Sequence, residues 1–439
     1  MRRLFLAAAI AIALAVPLAA QAAGSKSAKA SDSPLAKAAA ALPLRSVGPS
    51  LMSGRIADIA VHPTVPGVWY VAAGSGGVWK TTNAGTTWTP VFEDQPSYSI
   101  GEITLDPTNP DVVWVGTGEN VSGRHVGWGD GVYRSRDAGR TWQRMGLPRS
   151  EHIGRILVDP RDGNHVLVAA EGPLWAAGGE RGVYRSTDGG DTWTPVLQID
   201  ENTGVTDLEL DPANPDVVYA AAYQRRRHAW GVLGGGPGSG LWKSGDNGKT
   251  WRQLKTGLPS GDMGKIGLAV TPADPSLVYA TIEAGEEERG FYRSRDRGES
   301  WEKQNDYISG GTGPHYYQEI EASPLDANRV YQMDVFLHVT RNGGATMETL
   351  ETGHDKHSDN HALWIDPSIS KGGGGGNHLL VGTDTGLYES FDEGKTFRHF
   401  PNLPVAQVCK VALNIRNQDW YVPLGADGYG VAFDPRDPR

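Results

Sequence analysis

Seven near copies of one octapeptide constrain this chain more than anything else in it. They are TTNAGTTW from Thr81, SRDAGRTW from Ser135, STDGGDTW from Ser186, SGDNGKTW from Ser244, SRDRGESW from Ser294, TRNGGATM from Thr340 and SFDEGKTF from Ser390. Their third positions (Asn83, Asp137, Asp188, Asp246, Asp296, Asn342, Asp392) are 54, 51, 58, 50, 46 and 50 residues apart. A period of about fifty residues marks a repeat architecture, so each unit has to be compared with its siblings before any residue is given a role.

One unit, residues 100–142, gives the order of parts. Ile100–Asp106 alternates like a strand, DPTNPD turns the chain, and Val112–Gly116 is β-branched. Gly131–Ser135 and the stretch from Thr141 supply two more strands around the octapeptide. The turn draws on proline's fixed φ and on Asp and Asn side chains that bond their own backbone. It returns as DPRDG at 159, DPANP at 211, TPADP at 271 and SPLDA at 323. Four antiparallel strands per unit predict an all-β fold, a β-propeller of seven four-stranded blades, or eight if residues 405–439 complete another. No 3.6-residue stripe supports a helical solenoid. Within the octapeptide, Asp accepts backbone N–H groups, Gly takes φ > 0 and Trp plugs between strands. Seven copies at seven places cannot all be catalytic residues of one site, so the motif reads as scaffold.

The pattern S-x-D-x-G-x-T-W is the Asp-box (BNR) signature. The text around it, GRIADIAVHP and DGVYRSRDAGRTW, resembles the bacterial sortilin-like and xyloglucanase-like propeller proteins over residues 43–404. Families carrying this box include glycosidases, sorting receptors and assembly factors, so the resemblance implies a fold more than an activity. Resemblance to xyloglucanases implies a catalytic Asp just before a Gly-Gly in the first blade, with its partner on a second propeller. The matching stretch here is AAGSGGVW, with Gly74 at that position.

The ends and totals bound the rest. Arg2 and Arg3 before apolar Leu4–Ala20, then Ala20-Gln21-Ala22, predict a signal peptide over residues 1–22 and a secreted or periplasmic protein. Residues 23–42, rich in Ala, Lys and Ser, read as a flexible linker, and 405–439 as a partial further blade or closing segment. Losing two arginines with the signal moves the formal charge from −10 to −12, which argues against nucleic acid. No later run is long enough to span a membrane. The single cysteine, Cys409, excludes an intrachain disulfide. No motif requires a cofactor, and a monomer is expected.

Box loops and DPxNP turns fall at one end of every blade. Loops between second and third strands fall at the other, and they vary: GSGG at 74–77, ENVSGRHVGWGDG at 119–131, EGPLWAAGGERG at 171–182, YQRRRHAWGVLGGGPGSG at 223–240 and EAGEEERG at 283–290. Long loops on a rigid scaffold are where binding usually resides. The expected ligand residues on that face are Arg55, Arg124, Trp128, Arg155, Trp175, Tyr223, Trp230, His315 and Tyr316, with Tyr317 as a further exposed ring. Trp69, Trp79, Trp114 and Trp242 hold repeated strand positions and are expected in the core. Counting five residues back from each turn proline gives Asp58, Glu102, Arg155, Asp207, Gly267, Glu319 and Ala362, one phase of the innermost strands. That set predicts carboxylates and an arginine near a central channel, as a salt-bridged ring, a cation site or a catalytic group. Because glycoside hydrolysis needs two positioned carboxyls, the catalytic candidates are Asp58, Glu102, Glu119 and Asp130. In HDKHSDNH, His357, Asp359 and His361 alternate as on one strand face and form a candidate metal set. The run YQRRRHAW is expected as a solvated loop paired with Glu286–Glu288. The functional expectation is a secreted propeller binding a polysaccharide or peptide through the loop face, with glycoside hydrolysis as the alternative.

Overall fold

A computed structural model describes residues 54–123, 126–310, 313–351, 355–368 and 378–405, and the backbone of 412–414 and 419–421. The expected signal peptide and linker, and Arg124, lie outside the described residues. Of the tail, Ala412–Asn414 pairs with Asp419–Tyr421 as a two-stranded hairpin.

Seven antiparallel sheets, each built on four strands taken in chain order and the fourth carrying one extra strand, form a ring. Their innermost strands are Ile56–Val61, Ile100–Leu105, Ile153–Val158, Thr203–Leu210, Ile266–Val270, Ile320–Ala322 and Asn360–Ile365. Second strands such as Trp69–Ala73, Val166–Ala170 and Leu379–Thr383 are buried along their whole length, because a neighbouring blade covers each face. The core is accordingly divided among the junctions. Seven apolar clusters occupy them, from Tyr70, Val113 and Tyr133 between blades 1 and 2 to Ile56, Trp69, Leu380 and Phe400 between blades 1 and 7. Trp69 and Trp114 are core as expected, while Trp79 and Trp242 pack half-buried on cluster edges. No strand is exchanged between the two ends of the ring among the described residues, since every blade uses four strands in sequence.

The box turns join blade to blade. In box 2, Ser135 Oγ accepts from Gly139 N at 2.8 Å and donates to Asp137 Oδ1 at 2.8 Å. The Thr141 hydroxyl and amide then hold the Asp137 carboxyl down at about 2. The fourth residue of every box is left-handed, with φ of 52° at Ala84, 58° at Ala138, 70° at Gly189, 59° at Asn247, 59° at Arg297, 68° at Gly343 and 63° at Glu393. That twist turns its carbonyl toward the preceding blade. Lys80 Nζ donates to Ala138 O at 2.8 Å, Arg185 Nε to Asn247 O at 3.0 Å and Lys243 Nζ to Arg297 O at 2.6 Å, and Arg134 reaches Gly189 O likewise. At the closing junction Asn402 Nδ2 takes over, donating to Gly85 O at 2.9 Å and Thr86 O at 3.0 Å.

The box glycines supply a graded test. Gly139 (φ 87°) and Gly190 (φ 89°) share a backbone conformation, but a Cβ would lie 3.5 Å from its nearest neighbour at Gly139 and 2.7 Å from the Trp114 ring at Gly190. Gly139→Ala should cost about 1–2 kcal/mol for left-handed strain. Gly190→Ala should cost a further ~1–3 kcal/mol for overpacking. Urea denaturation of the two variants reads the difference, and equal losses would refute the packing argument.

Candidate functional site

The inner strands explain the charged phase. Three of the strands carrying an acid at the fifth position before the turn have a bulge there, between Ile56 and Asp58, between Ile100 and Glu102 and between Val205 and Asp207. The carboxylate then accepts a backbone N–H from the next blade. Asp58 Oδ2 takes Ile103 N at 2.8 Å, Glu102 Oε1 takes Ile156 N at 3.3 Å, and Asp207 Oδ2 takes Leu268 N at 2.9 Å. Arg155 stands among these acids, with Glu209 at 3.3 Å, Glu321 at 3.8 Å, and Glu102 and Asp207 at 3.9 Å. The ring expected from the sequence is thus present. Glu209 and Glu321 join it from two residues further along their strands, one step beyond the position counted. Burial pushes the carboxyls of Glu102, Asp207 and Glu209 upward and that of Glu321 to about 7, with Arg155 opposing only in part.

The loop-face end of this channel is crossed by chain. Ser122 N donates to His315 O at 3.0 Å, although blade 2 and the segment before blade 6 stand three places apart around the ring. Arg225 Nη1 donates to Ser122 Oγ at 3.0 Å, and Arg227 Nε to Ser122 O at 2.9 Å. The expected solvated loop YQRRRHAW is therefore corrected. Its residues extend the strand Val218–His228 into a hairpin with Gly231–Gly234. Arg225 pairs with buried Glu171 at 2.9 Å rather than with Glu286–Glu288, because alternate residues of a strand face inward. Tyr223 and Tyr317, expected as exposed rings, are buried, each 1% exposed. Tyr223 lies within that same strand, and Tyr317 stacks on His361 at 5.2 Å.

Beside the crossing, the structure gathers residues expected in three separate roles. Arg55 Nε donates to Asp384 Oδ1 and Nη1 to Glu119 Oε2, both at 2.6 Å, while Nη2 meets the Tyr316 hydroxyl. The Arg55 guanidinium also lies 4.8 Å from the Tyr316 ring centre. His361 Nε2 contacts Asp384 Oδ1 at 2.9 Å, and Tyr317 OH donates to Asp359. Burial would lower the Arg55 pKa, but Asp384 and Glu119 outweigh it and hold the guanidinium above its usual value. Burial would raise Asp384, but His361 and Arg55 pull it well below the carboxylate range. Each of the three guanidinium nitrogens of Arg55 donates to a protein partner, so the cluster ties blades 1, 2 and 7 to the segment before blade 6. Asp384 was not foreseen. It occupies in blade 7 the position that Gly74 holds in blade 1, as parallel bonds Gly74 N to Arg55 O and Asp384 N to Asp359 O show. At Gly74 itself a Cβ would sit 3.1 Å from Glu119 Oε2, so Glu119 fills the space an acid there would need.

The expected metal set does not assemble. The strand begins at Asn360, so His357 and Asp359 lie before it, and Asp359 is left-handed at φ 66°. That breaks the alternation. His357 Nδ1 faces Ser358 O at 2.8 Å, while His361 faces Asp384. Among the described residues no group of three His, Cys, Asp or Glu side chains is placed to hold a metal. Asp130, the fourth catalytic candidate, accepts from Tyr133 OH at 2.7 Å and Arg144 Nη1 at 3.2 Å. His315 is half-buried, and burial lowers its pKa.

Three tryptophans on the loop face are open to solvent: Trp128 at 72%, Trp175 at 50% and Trp230 at 85% exposure. Each is rigidly presented. Trp128 sits between Gly127, bonded in both directions to Glu119, and Gly129, whose N donates to Glu151 O at 2.7 Å. The Trp175 loop is stapled by Arg181, which donates to Gly178 O at 2.9 Å, Glu171 O at 2.7 Å, Ala176 O at 2.8 Å, and Pro173 O. Trp230 stacks on His228 with ring centres 4.6 Å apart. Blades 2, 3 and 4 carry one each, and the Arg227 N to Leu174 O bond sets the last two loops side by side.

Comparison with known proteins agrees with this architecture. The family profile Sortilin-Vps10 (sortilin, neurotensin receptor 3) matches residues 130–260. A xyloglucanase of Paenibacillus sp is 28% identical over 260 residues, 53% of this chain and 24% of its own length. A xyloglucanase of Hypocrea jecorina is 27% identical over 350 residues, 72% of this chain and 38% of its own. The chain therefore spans well under half the length of these curated relatives. Among solved structures, the GH74 xyloglucanase of Xanthomonas campestris superposes with a TM-score of 0.63 at 17% identity, covering 87% of this chain and 59% of that one. YCF48 bound to D1 peptide superposes with a TM-score of 0.50 at 12% identity, covering 80% and 98%. At such identities these likenesses speak for the fold.

Proposed function

We propose that this sortilin- and xyloglucanase-like Asp-box propeller is a secreted or periplasmic protein that binds an extended polymer across its loop face, a polysaccharide before a peptide. One observation carries the reading. Of nine large apolar side chains exposed among the described residues, seven lie on the loop face (Tyr98, Trp128, Trp175, Trp230, Val232, Leu233, Phe336), and two, Val65 and Phe391, on the opposite face. Planar rings held by bonded loops fit the faces of successive sugar units at little entropic cost, and a concentrated apolar patch marks an interaction surface. The xyloglucanase relatives favour a glycan over a peptide. The test is calorimetric titration of the protein with plant and bacterial polysaccharides and with extended peptides. Each of Trp128→Ala, Trp175→Ala and Trp230→Ala is expected to weaken binding about 5- to 30-fold. Unchanged affinity in all three would sink the assignment to this face.

Glycoside hydrolysis is the second reading, favoured by the Glu119 carboxylate standing beside Gly74. New reducing ends that disappear in Glu119→Gln would establish it, and binding without turnover would remove it.

A further inference from the structure

The axial channel opens away from the loop face. Toward the Asp-box face it widens to a funnel of about 520 Å³, and toward the loop face it narrows to a cavity of about 50 Å³. Asp58, Glu102, Arg155 and Glu321 line both, so the two meet at the charged ring. With Ser122, Arg225 and Arg227 crossing the other end, a ligand enters from the Asp-box side. The funnel wall is aliphatic where Ala60, Leu157 and Leu363 line it, and prolines such as Pro63 and Pro324 form its rim.

The narrow end carries an excess of carboxyl groups over cations. Asp58, Glu102, Asp207, Glu209, Glu319 and Glu321 line it, against Arg155 and Lys265. Lys265 is committed to Glu319 Oε1 at 2.5 Å, and of the four acids around Arg155 only Glu209 comes as near as 3.3 Å. Two further polar groups there lack partners. Gln318, 0% exposed, lines the cavity with its Oε1 accepting from Ser309 N at 3.1 Å and its Nε2 unbonded. The buried Oε2 of Glu319 is likewise unbonded. A buried donor or acceptor without a partner costs about 1–3 kcal/mol, so both atoms call for a ligand or its water.

We propose that the channel is a binding site for an alkylammonium group, with its aliphatic stem along the funnel wall and its cationic nitrogen at the carboxylate ring. An ammonium brings three N–H donors to acceptors that outnumber the protein's own cations. Its water answers Gln318 Nε2. An aliphatic wall above an acidic floor suits an organic cation better than a hydrated metal ion, whose water shell gains nothing from Ala60, Leu157 and Leu363. The group can come from a free polyamine or from a lysine side chain of another protein. In either case the amine binds the ionised carboxylates, and Glu321 ionises only near pH 7, so affinity increases from pH 5.5 to pH 8.

The experiment titrates the full chain by calorimetry with spermidine, with an N-acetyl-lysine amide and with magnesium chloride, at constant ionic strength and at both pH values. We expect an amine to bind one to one, more tightly at pH 8. Glu321→Gln and Glu209→Gln should each weaken it by about tenfold or more, while Glu287→Gln, on the exposed rim of blade 5, leaves it unchanged. Preference for spermidine or for the lysine amide identifies the source. No amine binding, an equal response to magnesium, or equal weakening by Glu287→Gln would each overturn the proposal. If the channel variants fail to fold, the pH dependence of the unmodified protein decides, and a flat profile counts against it.

Discussion

Arg55→Ala is expected to lower the free energy of unfolding by about 3–5 kcal/mol, because it takes the arginine cation from two buried carboxylates at once. The side chains of Glu119 and Asp384 are 6% and 9% exposed, and each loses its 2.6 Å partner. The Tyr316 hydroxyl and ring lose theirs as well. These contacts lie where the ring closes. Neighbouring blades elsewhere are continuous in the chain, but among the described residues blades 1 and 7 meet through packing, Asn402 and this arginine cluster. Arg55→Lys should recover part of the loss, since an ammonium can meet one carboxylate but not the fork of three partners. The pH dependence carries a sign. The Asp384 carboxyl is held below its unfolded value of about 3.9, so its contribution is complete above that value and fades as the pH falls below it. Urea denaturation at pH 7 and pH 3 should therefore show a gap between the parent protein and Arg55→Ala that narrows in acid. A constant gap would mean that the arginine acts through packing rather than charge.

Arg155→Met should produce a loss of similar size with the opposite pH dependence. Arg155 is the cation for Glu102, Asp207, Glu209 and Glu321. Their folded pKa values are already raised by burial, that of Glu321 to about 7. A carboxyl raised in the folded state binds its proton more tightly there than in the unfolded chain. Its stabilising contribution is present below the unfolded value of about 4.3 and is lost as the pH rises through the folded value. Without Arg155 those values climb further. The variant should be close to the parent at pH 5 and about 3–5 kcal/mol less stable at pH 8. Thermal melts across that range check it, and a deficit that is largest at pH 5 would contradict the account.

How far the site was legible depended on the distance over which its residues act. The channel ring could be read from one strand phase, because side chains alternate in every inner strand and the repeat aligns the strands. Counting stopped one step short, at Asp207 and Glu319, and so missed Glu209 and Glu321. The exposed tryptophans were legible as aromatics without repeat counterparts. Tyr223 and Tyr317 carried the same signal and are buried, since a missing counterpart does not reveal what folds over a ring. The metal reading of His357, Asp359 and His361 needs all three on one strand, but the strand starts only at Asn360 and Asp359 is left-handed, so His361 turns to Asp384 while His357 stays 3.9 Å from Asp359.

The choice of seven blades over eight came from the folded ring, but by itself the sequence determined the four-stranded blade and its repeat, the order of the strands, the scaffold role of the seven boxes and the face on which the irregular loops gather. All of these are local or periodic properties, repeated often enough that chance variation in one unit is corrected by the others. Only the tertiary structure decided that Arg55, Glu119, Tyr316, His361 and Asp384 meet, that segments of blades 2 and 4 cross the channel, and that the channel opens toward the boxes. Those contacts join residues up to 329 positions apart on different blades. Each occurs once, so the repeat holds no second copy from which to read it, and it exists only when the ring has closed.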